Sequence, residues 1–82
     1  MAALPQINKK ATGKNLKRLM RKSKLNTFEL QKILNLTSAA TIYVWLRGDY
    51  LPNADSLVKL AYIFGCTVDE ILVTDQGDNE YE

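Results

Sequence analysis

Among the side chains that could do chemistry, cations dominate the first third of the chain. Lys9, Lys10, Lys14, Lys17, Arg18, Arg21, Lys22 and Lys24 are eight of the eleven Lys and Arg, and residues 1–25 contain no acid. From Cys66 onward the sign reverses, with Asp69, Glu70, Asp75, Asp78, Glu80 and Glu82 and no base. A net charge of +2 hides this polarity, which predicts one surface that meets an anion and one that avoids it. Other chemistries lack their residues. With no histidine, a Cys/His zinc site has no ligand set, and the single thiol, Cys66, has no imidazole to activate it. There is no glycine loop for phosphates and no carboxylate pair on a rigid element, so the sequence does not read as an enzyme. Neither a cofactor nor a metal is expected.

These cations must be positioned by a single small core. Eighty-two residues, 46% hydrophobic and 24% charged, suffice for one domain and are too apolar for a wholly disordered chain. The start MAALPQINKK lacks the apolar centre of a signal peptide. The longest apolar stretches, around Ala39 to Leu46 and Leu60 to Cys66, fall short of the ~20 residues that span a bilayer. One free cysteine fits a reducing compartment, so a cytoplasmic location is expected and no membrane.

Breakers and caps cut the chain into short helices, and no segment alternates as a strand would. The pattern predicts an all-α fold of five helices. Thr12 can cap a first helix to about Lys24, with Leu16, Leu19 and Met20 inward. Asn26 and Glu29 form a capping box for a second helix that buries Phe28, Leu30, Ile33 and Leu34 and stops near Asn35. Ser38 or Thr37 can cap a third helix ending at Gly48, with Ile42, Trp45 and Leu46 inward; Trp45 is core rather than a stacking platform. Asn53 can cap a fourth, burying Leu57, Leu60, Ala61 and Phe64 and closed by Gly65. Thr67 and Glu70 box a short fifth that buries Val68, Ile71 and Leu72. The domain division is then a flexible basic arm at 1–11, a helical domain at 12–74 and an acidic disordered tail at 75–82.

Two short helices, Asn26 to Leu34 and Ser38 to Arg47, joined by a tight turn, have the outline of a helix-turn-helix. The order of residues from Gly13 to Val73 sharpens it. Gly13, Leu16, Leu19 and Met20-Arg21 look like an opening Gly-x-x-Leu-x-x-Leu-Arg. Ile42, Trp45 and Gly48 match Ile-x-x-Trp-x-x-Gly. Leu51-Pro52, Leu57 to Ala61 and Phe64 to Leu72 match the Leu-Pro, the Leu-x-x-Leu-Ala and the Phe-Gly-x-x-x-Asp-Glu-Ile-Leu that follow. Over about three quarters of its length the chain resembles the Cro/cI-type, or xenobiotic-response-element, helix-turn-helix family. That resemblance implies a lambda-repressor-like five-helix bundle. Three positions depart from the pattern: Gln31 stands for the usual Ala, Asn35 for the turn Gly, and Leu46 for an acid that commonly makes an ion pair.

The resemblance also implies that the first half of the third helix lies in the major groove, giving Ser38, Ala39, Ala40, Thr41, Tyr43 and Val44 as base readers. None can make the bidentate contacts of Arg to guanine or Asn to adenine; methyls on thymine and hydroxyls on several bases remain, so modest specificity for T-containing steps is expected. Phosphate contacts are expected from Lys14, Lys17, Arg18, Arg21, Asn26, Thr27, Arg47 and Tyr50, with Lys9, Lys10, Lys22 and Lys24 as further candidates. The implied function is a sequence-specific double-stranded DNA-binding transcriptional regulator, a repressor that occupies a promoter as a homodimer on two half-sites. The alternative is a protein-interaction module, antitoxin-like or regulatory, that keeps the fold and meets a protein partner. For it speak the apolar outer face Ala39, Ala40 and Val44 with Tyr43, and the fifth helix and acidic tail are where a partner or dimer contact is expected.

Overall fold

A computed structural model describes residues 4–75. Five helices follow a two-residue strand: β1 (Gln6–Ile7), α1 (Lys9–Lys22), α2 (Thr27–Leu34), α3 (Ala40–Arg47), α4 (Ala54–Phe64), α5 (Val68–Ile71), then β2 (Thr74–Asp75). The helical bundle is the one expected. The core lies where α1 crosses α3 and is closed by the other helices. It comprises Leu16, Leu19 and Met20 of α1, Leu30 and Leu34 of α2, Ile42 and Trp45 of α3, Leu60 and Ala61 of α4, and Ile71 of α5. Trp45 is thus a core residue.

Three of the five N-caps are those the sequence signals. Asn26 and Thr67 close full capping boxes with Glu29 and Glu70, and the Asn53 side chain accepts from the Ser56 N–H. Helices α1 to α4 end alike: one left-handed residue donates to the carbonyl three back, and its successor to the carbonyl five back. Asn35, Gly48 and Gly65 take that conformation without strain, but Lys24 takes it at φ 59° with a full side chain. Lys24→Gly is therefore expected to raise stability by about 1 kcal/mol, read as a higher urea midpoint with an unchanged slope.

The first helix begins earlier than expected. Asn8 caps it through the Ala11 N–H, and Thr12, assigned as the cap, lies inside the helix with 1% of its surface exposed. Its hydroxyl accepts from the Val73 N–H at 2.9 Å. The Asn15 amide donates to the carbonyls of Glu70 and Ile71, capping the short α5. These bonds draw the chain ends together: β1 pairs antiparallel with β2, Gln6 opposite Asp75 and Ile7 opposite Thr74, and Asn8 donates to the Asp75 carboxylate. Of the segment placed in a flexible arm, Gln6 and Ile7 pair across the fold and residues 9–11 form the first turn of α1, so a short ladder exists where no strand was expected. Two residues are too few to show an alternation. The tail assigned to 75–82 lies outside the described residues apart from Asp75.

Phe28 and Ile33, expected inside, are 61% and 54% exposed. The eight-residue α2 buries one narrow stripe, Leu30 and Leu34, and leaves its flanks exposed. Phe28 instead carries the Lys32 ammonium 4.8 Å above its ring. Leu57, Phe64 and Val68 are half-buried against the core, and Leu72 is half-buried. Among the described residues no helix is long and apolar enough to cross a membrane.

Candidate nucleic-acid interface

Four cations of α1 share one face. At 100° per residue, Lys10, Lys14, Lys17 and Arg21 fall within about 60° of each other around the helix. The opposite flank carries Leu16, Leu19 and Met20 into the core, so the stripe is forced outward. Two glycines bring that face up to α3. A Cβ on Gly13 would sit 2.6 Å from the carbonyl oxygens of Trp45 and Leu46, and one on Gly48 would sit 2.7 Å from the Cα of Lys10. Only bare backbone permits such an approach. Among the described residues none of these four cations has an acidic partner; the two ion pairs there are Arg47 with Asp49 and Lys59 with Asp55.

Between α1, the start of α2 and α3 lies an open groove of about 450 Å³. Its rim carries Lys17, Arg21, Thr27, Tyr43 and Arg47, and its floor Met20, Leu25 and Leu46. Five of the sequence-derived candidates are therefore brought together. Arg47 is held at 2.9 Å by Asp49, but both side chains are largely exposed, so this pair holds the guanidinium only weakly.

The other candidates divide. Lys14 continues the stripe, and Tyr50 is exposed in the loop after α3. Asn26 is exposed, with its side chain committed to the Glu29 N–H. Arg18 turns to another face: its Nε donates to Asn15, which is itself anchored to α5. Lys22 lies on that side too, close enough with Arg18 to act on the Cys66 thiol. Burial, and then the Glu70 carboxylate, nevertheless push that thiol above its ordinary range, which favours its protonated form.

Of the six base-reading candidates, Ala40, Thr41, Tyr43 and Val44 lie in α3, while Ser38 and Ala39 lie in the turn before it. The helix starts at Ala40, and its N-cap is Ala39 without a side-chain bond; Ser38 reaches forward to accept from the Ala40 N–H. Ser38, Ala40 and Thr41 are exposed, and Ala39 and Val44 half-buried. Tyr43 is half exposed and faces α1 across the groove. Gln31, where the family has Ala, donates its amide to the Leu36 carbonyl and so ties the turn between α2 and α3. The apolar groove floor was not foreseen, although Leu46 in place of an acid was its signal.

Comparison with known proteins places these features. No curated protein matches the sequence. The DNA-binding domain of BldD from S. venezulae is similar, with a TM-score of 0.67 and 22% identity over 80% of this chain and 97% of that one. A crystal structure described as the DNA-binding domain of BldD gives a TM-score of 0.68 and 22% identity over 80% and 94% of the two chains. At that identity the likeness is one of fold. A family model described as the Cro/C1-type HTH DNA-binding domain matches residues 15–77, which span the cationic stripe from Lys17 on, the turn and α3. The chain belongs to the Cro/C1-type helix-turn-helix DNA-binding domain family.

Proposed function

We propose that the chain is a sequence-specific regulator of transcription that inserts α3 into the major groove of duplex DNA and represses by occupying a promoter. The observation that carries this reading is the convergence of Lys17, Arg21 and Arg47 beside the exposed start of α3. Thr27 and Tyr43 add hydroxyls to the same rim. Backbone phosphates engaged there would fix the depth and register of α3, while Ser38, Ala40, Thr41 and Val44 meet base edges. Because those side chains offer only methyls and hydroxyls, most of the affinity comes from phosphates and falls steeply with salt. Two copies on an inverted repeat, with half-sites about 34 Å apart, would let one weak reader act twice.

Selection from a random duplex pool at rising salt tests this. The expected result is an inverted-repeat motif, with log K against log[salt] steepening by about 0.9 for each phosphate contact. Lys17→Ala and Arg21→Ala should each flatten that slope by about 0.9 and weaken all sequences alike. No enrichment together with salt-independent binding would refute the reading.

A second reading, a protein-interaction module, is favoured by one observation. Ile33, Val58 and Tyr62 line an apolar groove between α2 and α4, with Val58 63% and Tyr62 89% exposed. Substituting Val58 and Tyr62 by serine should leave duplex affinity unchanged if DNA is the main ligand of a monomer, and lower it if this groove joins two copies.

A further inference from the structure

The groove beside α3 is larger and less polar than a phosphate contact requires. A backbone phosphate reaching Lys17, Arg21 and Arg47 would touch its rim and leave the floor of Met20, Leu25 and Leu46 uncovered. That floor exists because residue 46 is Leu, which is half-buried against the core and lines the groove together with Met20 of α1. The side chain of Tyr43 forms one wall and is half exposed, so a flat ring can lie against it. A volume of about 450 Å³ falls within the range of about 300–1,000 Å³ found for small-molecule sites.

We propose that this groove binds a compact organic anion, an aromatic body bearing one phosphate, sulfonate or carboxylate group, and that the bound anion competes with DNA. The anionic group sits among Lys17, Arg21 and Arg47, and the ring covers Met20 and Leu46 against Tyr43. Since the same cations receive the DNA backbone in the reading above, on which this competition rests, ligand and duplex exclude each other. The DNA-binding domain itself thereby gains an effector response.

The test uses 8-anilinonaphthalene-1-sulfonate as probe on the full chain, with inorganic phosphate and uncharged 1-anilinonaphthalene as comparators. Amide NMR shifts are expected at Thr27, Tyr43 and Leu46 and not at Val58 or Tyr62. The sulfonate should bind roughly tenfold or more tightly than either comparator, and Lys17→Gln and Arg21→Gln should each weaken it by a similar factor. Leu46→Glu, which puts a carboxylate on the floor, should abolish binding; should that variant not fold, the two exposed-cation variants carry the test. Shifts confined to the groove between α2 and α4, or equal binding of the uncharged analogue, overturn the site. The probe should also release wild-type protein from duplex. Duplex binding that the probe leaves untouched overturns the competition. A chain that binds no duplex at any salt overturns the DNA reading and the competition with it, and the shift map then decides the ligand site alone.

Discussion

Replacing Gly13 by alanine is expected to lower the stability of the domain by about 2 kcal/mol, and its melting temperature by roughly 10 °C. The added methyl would meet the carbonyl oxygens of Trp45 and Leu46 at 2.6 Å, and these are backbone atoms inside a helix that no rotamer change can move aside. Helices α1 and α3 must separate, which opens the contact between Leu16 and Met20 of one and Ile42 and Trp45 of the other. The intrinsic helix preference of alanine, about 1 kcal/mol, offsets only part of this. Gly65 is the control. It has a positive φ of 68° but open space around its Cβ position, so Gly65→Ala carries only the conformational cost of about 1 kcal/mol. Thermal unfolding followed by circular dichroism separates the two. Equal melting temperatures for the variants would mean that the close approach at Gly13 is not what holds the helices together.

Reversing two charges, Lys17→Glu with Arg21→Glu, is expected to weaken duplex binding on the order of 100-fold or more at ~0.1 M salt. Each substitution removes an attraction and adds a repulsion at the rim of the groove. Folding stability should not fall. Lys10, Lys14, Lys17 and Arg21 succeed each other at spacings of three and four, where like charges repel by about 0.2–0.5 kcal/mol per pair; the reversal turns the repulsion between positions 14 and 17 into an attraction and leaves positions 17 and 21 alike in sign, so the net change is small. Arg18→Glu, on the face tied to α5 through Asn15, should change affinity far less. Anisotropy titrations of labelled duplex and urea midpoints on the same preparations check both halves. If Arg18→Glu weakens binding as much as the pair does, the cations act as diffuse charge and the groove has no special place.

Local signals were legible wherever a single residue decides a local conformation. Asn26, Asn53 and Thr67 start helices because their side chains satisfy free N–H groups a few residues on, and Asn35, Gly48 and Gly65 end them in the left-handed region. The inward stripes of α1 and α3 followed from helical period. The stripe of α2 did not, because period shows that Phe28 and Ile33 are apolar but not whether any neighbour will cover them. The start of α1 was misplaced for a related reason: Asn8 and Thr12 can both cap, and the choice falls to Val73, far along the chain, whose N–H claims the Thr12 hydroxyl.

The sequence by itself thus determined the number and type of the helices, the cationic first third and, through spaced motifs, the family. Those depend on caps, period and charge, which act over a few residues. Only the tertiary structure decided which cations act together. Lys17, Arg21, Thr27, Tyr43 and Arg47 converge because Gly13 and Gly48 let α1 lie directly on α3, whereas Arg18, next in the chain to Lys17, is carried to the α5 side by a 100° step of the helix. The pairing of Gln6–Ile7 with Thr74–Asp75 is likewise long-range, since strands of two residues take their order from Asn8, Thr12 and Asn15 and not from any pattern of their own.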